Sequence, residues 1–197
     1  MYVVWRSLIF TFIFNLGFII SSFAANSVKY NLSTGFLNVN YSGDADGTLN
    51  FGSIFDVGGE VVTDPYSSLT FHGTIAIDPG TAVTNYMYAG LGKRFYFNSV
   101  TEERIFSNGA DKIQITPLRQ YHFTAEVGMA ELNVRTVGLS LFTMATIFEF
   151  GFSVGTNWIL SNNVSISGSL GMAQGFGFSS IILNDTAIKA FIGLNIL

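Results

Sequence analysis

The sequence predicts an all-β protein, an eight-stranded antiparallel up-and-down transmembrane β-barrel behind a cleavable signal peptide, and three observations predict it. Of 197 residues 49% are hydrophobic and 15% aromatic, yet only 11% are charged, about half the charge of an ordinary soluble domain. The apolar residues do not gather into the continuous runs of about 20 that a multi-span helical protein needs; only the N-terminus offers one. Elsewhere they alternate with small or polar residues, which is the pattern of strands that show one face to lipid and the other to a crowded interior. Twenty Phe, eight Tyr and twenty-one Gly suit that division.

The first element is the signal peptide. Arg6 supplies the positive n-region, residues 8–20 the apolar stretch, and Ser21-Ser22-Phe23-Ala24-Ala25 the small-residue exit. Ser22 and Ala24 place the cut after Ala24, so residues 1–24 form the signal peptide and 25–197 the barrel. Removing that segment takes the net charge from −4 to −5, because Arg6 is its only charge. So weak an acidic balance gives no reason to expect nucleic acid as a partner. The absence of cysteine excludes disulfides, thiolate metal sites and a lipid-anchored cysteine.

The strands follow from which parity is apolar. Residues 28–41 begin the wall with Tyr30 and Leu32, although Leu37 and Val39 break that alternation. Residues 43–64, with Gly43-Asp44-Ala45-Asp46-Gly47 and Gly58-Gly59 as breakers, read as a long loop. Over 66–78 the odd positions Leu69, Phe71, Gly73, Ile75 and Ile77 are outward, opposite Ser68, Thr70, His72, Thr74 and Ala76. Asp78-Pro79-Gly80 ends that strand in a tight turn. The return strand, 82–97, carries Met87, Ala89, Leu91, Phe95 and Phe97 outward. After a second loop at 98–112, residues 118–128 put Tyr121, Phe123, Ala125 and Val127 outside.

The apolar parity is odd at Val137, Leu139 and Leu141 and even at Phe148, Phe150, Phe152 and Val154, so a turn is expected at 142–146. Leu160-Ser161-Asn162-Asn163 makes a short hairpin, and the next strand shows Val164, Ile166, Leu170 and Met172. Residues 175–185 connect to the last strand, 186–197, with Ile188, Ala190, Ile192, Leu194 and Ile196 outward. The count is eight. Long connections at 43–64, 98–112, 142–146 and 175–185 are expected on the outer rim, with short turns and both chain ends in the periplasm.

These features resemble the small OmpA/OmpX-type outer-membrane β-barrel proteins across the whole mature chain. The resemblance rests on the exported N-terminus, the strand Tyr86-Met87-Tyr88-Ala89-Gly90-Leu91-Gly92, the segment Gly155-Thr156-Asn157-Trp158 before a hairpin, and a chain that ends within its last strand. Where such proteins usually end on an aromatic residue, this chain ends on Leu197. The resemblance implies location in the cell outer membrane, contact with its lipids, delivery by the barrel-assembly machinery, a monomer, and outer loops that meet extracellular ligands.

Parity also sends five ionisable residues from five strands inward: His72, Arg94, Glu126, Glu149 and Lys189. An eight-stranded interior is just wide enough for side chains, so these groups are expected to pair into a charge-compensated plug. The leading expectation is a non-catalytic surface platform without cofactor or metal. Two alternatives are an OmpW-like conduit or binder for small apolar molecules and a lipid A deacylase-like enzyme. The latter would use His122, Thr124 and Glu126, which share one inward face, although the hydroxyl is threonine and the face points away from lipid. A lipocalin-like secreted binder would need the apolar parity inside. The acids Asp44 and Asp46 lack the other ligands of a calcium loop.

Overall fold

A computed structural model describes residues 28–77, 85–100, 102–105, 112–115, 117–135, 142–161, 163–177 and 182–196. The signal-peptide segment and the turn at 78–80 lie outside these residues. Eight strands close into one antiparallel barrel: β1 (Val28–Gly43), β2 (Gly47–Asp64), β3 (Ser67–Ile77), β4 (Asn85–Tyr96), β7 (Arg119–Arg135), β8 (Phe142–Ser161), β9 (Val164–Gly177) and β10 (Leu183–Ile196). The short strands β5 (Glu102–Ile105) and β6 (Lys112–Ile115) pair as a separate ribbon within the β4–β7 connection. Every barrel strand has two neighbours, and β1 seals against β10, so the wall has no free edge.

The paired row through Ser42, Asn184, Phe176, Phe148, Met129, Ala89, Gly73 and Val57 returns to β1 at Leu32, a stagger of ten residues. With a rise of about 3.3 Å per residue and strands about 4.8 Å apart, this stagger tilts the strands about 40° and sets a radius of about 8 Å.

The eight strands are not the eight that parity counting identified. Residues 47–64, read as a loop, form the second wall strand. A β-bulge hid it: Gly35 pairs Ile54 while Leu37 pairs Phe51, so two residues of β2, Gly52 and Ser53, stand opposite one of β1, Phe36, and the inward parity of β2 changes. Conversely, no turn occurs at 142–146. Those residues open β8, whose Thr143, Met144, Ala145 and Thr146 pair Val134, Asn133, Leu132 and Glu131 of β7. One strand gained and one lost left the total unchanged.

The connections sort differently as well. The near rim, where β1 starts and β10 finishes, also carries the turns at 65–66 and 162–163 and the long connection 97–118. The far rim carries 44–46, 78–84, 136–141 and 178–182. Thus the strand ends Tyr96 and Arg119, which flank the 98–112 segment expected on the outer rim, lie on the rim of Val28 and Ile196, and Ile77 and Asn85, which flank 78–80, lie on the opposite one. The near-rim connection is tied to the wall: Val100 N donates to the Pro65 carbonyl at 2.8 Å, and Gln120 Nε2 donates to the Val100 carbonyl at 2.9 Å.

A belt of outward apolar residues circles the near-rim half of the barrel. It runs from Ile188 to Ile196 on β10, Tyr121 to Met129 on β7 and Leu69 to Ile77 on β3. Each run is nine residues long, the length that crosses a hydrocarbon layer as a tilted strand. Above the belt the polarity reverses on β1, β2, β7 and β10. Outward positions become Asn38, Asn40, Thr48, Asn50, Asn133 and Thr186, while inward ones become Leu37, Val39, Phe51, Ile54, Leu132 and Ile147. These inward side chains, with Leu183 and Ala187, form one buried apolar cluster. The far-rim end is therefore built like a water-soluble protein, apolar inside and polar outside, and the near-rim half is built for lipid. Leu37 and Val39 break no alternation; they are inward residues above the belt.

Candidate functional site

The lumen beneath the apolar cluster holds the polar site. Period-two alternation turns Asp56 and Glu60 of β2, His72 and Thr74 of β3, Tyr86, Tyr88, Arg94 and Tyr96 of β4, Glu126 of β7, Glu149 of β8 and Lys189 of β10 inward. All five expected interior residues, His72, Arg94, Glu126, Glu149 and Lys189, stand there, and they form two connected groups.

The inner group starts at His72, which bridges two carboxylates: its Nδ1 is 2.7 Å from Asp56 Oδ2 and its Nε2 is 3.2 Å from Glu126 Oε2. Thr74 Oγ1 donates to Asp56 Oδ2 at 2.7 Å. Lys189 Nζ then joins Glu126 Oε1 at 3.7 Å to Glu149 Oε2 at 3.1 Å. Glu149 is fully buried and accepts both from Lys189 and from the Tyr86 hydroxyl at 2.7 Å. The ammonium also lies 3.9 Å from the centre of the Tyr88 ring, a cation–π contact strengthened by desolvation. Nearer the rim, Arg94 Nη1 pairs Glu60 Oε2 at 2.6 Å, Arg94 Nε donates to Thr124 Oγ1 at 3.2 Å, and the Tyr96 hydroxyl donates to Glu60. Charges removed from water are costly unless paired and hydrogen-bonded, and each of these charges has an opposite partner.

Asp56, Glu60, Tyr86, Tyr88 and Tyr96 were not among the expected members. The two acids sit on the strand whose sequence reads as a loop, and the tyrosines join through their hydroxyls and rings. Small residues make the room: a Cβ at Gly90 or Gly128 would collide with the Tyr88 ring.

The remaining wall is lined by Ser153, Ser167, Ser169 and Gly171, which leave a cavity of about 90 Å³ beside the ionic groups. That space suits a few water molecules, well below the roughly 300 Å³ at which small-molecule pockets begin.

His122, Thr124 and Glu126 do share one inward face of β7, but each meets different groups. The His122 ring meets Tyr96 edge-on at 5.9 Å, Thr124 accepts from Arg94, and Glu126 binds His72 and Lys189. Among the described residues no group of three or more His, Asp or Glu could hold a metal ion.

A closed eight-stranded wall with an outward apolar belt and a side-chain-filled interior defines the outer-membrane β-barrel class of fold. Compared with solved structures, the chain is similar to Neisserial surface protein A, with a TM-score of 0.56 and 9% identity over 85% of this chain and 96% of that one. It also matches Ail, the attachment invasion locus protein of Yersinia pestis (TM-score 0.46, 11% identity, 85% and 97% of the two chains). A third match is the N-terminal β-barrel domain of Pseudomonas aeruginosa OprF (0.46, 8%, 85% and 96%). No protein-family model and no curated protein sequence matches the chain.

Proposed function

We propose that this protein is a non-catalytic platform of a bacterial outer membrane, whose wall is held by lipid and whose far-rim connections face the outside. The observation that carries the reading is the reversal of polarity along single strands. Lipid accounts for the belt, and water accounts for the collar above it, with the lumen filled at both levels. On this reading the near rim with both chain ends faces the periplasm, the signal peptide and the barrel-assembly machinery bring the chain there, and it works as a monomer. Its partners are the surrounding lipids and whatever extracellular ligands meet the far-rim loops.

The other two readings find less support. A conduit for small apolar molecules needs an open lumen, whereas the apolar side chains Leu37, Phe51, Leu132 and Ile147 are packed together and buried. A deacylase-like enzyme needs a base hydrogen-bonded to its nucleophile, whereas the Thr124 hydroxyl is held by Arg94.

The test is cell fractionation followed by denaturing gels of heated and unheated membrane fractions. The platform reading expects the protein in the outer membrane with heat-modifiable mobility; a soluble protein, or one whose mobility ignores heating, overturns it.

A further inference from the structure

The belt ends on β1 and β10 at Phe36 and Ile188, and directly above it the outward face becomes a ladder of neutral amides. Asn38 Nδ2 donates to Asn50 Oδ1 at 2.6 Å, Asn40 Nδ2 donates to Asn38 Oδ1 at 3.0 Å, and Thr48 Oγ1 donates to Asn40 Oδ1 at 2.7 Å. Thr186 stands beside Asn40 on β10. Asn40, Thr48 and Asn50 are exposed, and behind the ladder the lumen is filled by Leu37, Val39 and Phe51. The wall here is thus wet on the outside and dry on the inside, and it joins the lipid-facing surface without a break.

From this face we infer a binding surface for the saccharide part of glycolipids in the surrounding leaflet. The inference rests on the outer-membrane platform reading. Three features fix the chemistry. Continuity with the belt places a lipid's headgroup at the height of the ladder whenever its chains lie on Phe36 and Ile188. The ladder's amides and hydroxyls carry both donors and acceptors, the complement of a sugar hydroxyl, which is itself both. No basic side chain belongs to the ladder, so it has nothing to pair with a phosphate, and sugar hydroxyls are the part of the headgroup it fits. The cross-strand bonds also hold the amides in place before a ligand arrives, which lowers the ordering cost of binding.

The experiment uses the full barrel reconstituted in three vesicle types: phospholipid alone, phospholipid with lipid A, and phospholipid with complete lipopolysaccharide. Retained glycolipid is measured by native mass spectrometry. The wild type is expected to retain complete lipopolysaccharide in preference to lipid A. Each of Asn38→Ala, Asn40→Ala and Asn50→Ala should lower that preference about fivefold, the worth of one net hydrogen bond. Asn31 and Asn195 line the lumen, where Asn31 Nδ2 donates to Asn195 Oδ1 at 2.6 Å, and removing these two amides instead, Asn31→Ala with Asn195→Ala, should leave it unchanged. Equal retention of lipid A and complete lipopolysaccharide by the wild type overturns the inference without needing any variant. Preference that survives loss of the whole ladder overturns it too. Heat-modifiable mobility in the same samples reports separately on the membrane-barrel reading, so the two failures are distinguishable.

Discussion

Lys189 Nζ lies 3.1 Å from Glu149 Oε2, and this contact carries the luminal ion chain to the level where the apolar cluster begins, below the buried Asp185. Both side chains are almost fully buried, at 4% and 0% exposure. Removing the ammonium leaves Glu126 and Glu149 without their shared partner. Lys189→Met should therefore cost about 3–5 kcal/mol, the usual penalty for breaking a buried pair on one side. Adding Glu149→Gln should restore part of the loss. Urea unfolding in vesicles, followed by the mobility shift, measures both; a loss below about 1 kcal/mol for the single variant would contradict the pairing.

Two layers fill the lumen, so weakening one should not open it. Planar-bilayer recordings should show no ion conductance for the wild type or for Glu126→Gln with Lys189→Met, because Leu37, Phe51, Leu132 and Ile147 still close the far-rim end. Conductance should appear only when that charge variant also carries Phe51→Ala, Leu132→Ala and Ile147→Ala. Open-channel steps in the charge variant alone would show that the ions form the seal.

The reversal of polarity predicts that position along a strand sets the cost of a charge. Ile192 lies within the belt, opposite Thr34, and Asn40 lies on the collar. Ile192→Arg should destabilise the inserted barrel by about 2–4 kcal/mol and Asn40→Arg by about 0–1 kcal/mol, following the depth dependence on lipid-facing walls. Equal costs would remove the distinction between belt and collar.

Glycine tolerance should follow the space around each Cβ. At Gly35, on the β1–β10 seam, an added Cβ would collide with the carbonyl oxygen of Ala190, whereas at Gly52 it would meet nothing within 4 Å. Gly35→Ala should thus reduce the heat-modifiable, closed form, and Gly52→Ala should leave it unchanged. The fraction of closed barrel after refolding into vesicles gives the answer.

Much of the wall was legible because lipid and a crowded interior impose opposite demands on alternate residues. β3, β4, β9 and β10 declared themselves, and their inward residues include His72, Arg94 and Lys189. The failures have a common origin. β2 changes parity at its bulge and carries Asp56 and Glu60 among glycines, so its pattern matched a loop. Val137, Leu139 and Leu141, whose odd parity suggested a turn at 142–146, lie outside the described residues, and within β8 Ala145 and Ile147 keep that odd parity because they face the apolar end of the lumen.

Alternation over many short segments is compatible with little besides a barrel, so the residue pattern alone specified that fold and the inward side chains of its regular strands. Which eight segments close the wall, which rim holds each connection and which inward charges meet became visible in the folded barrel. Those properties depend on register and stagger between strands, which are set by cross-strand pairing and bulges, and a one-residue shift that leaves local composition untouched exchanges the inside for the outside.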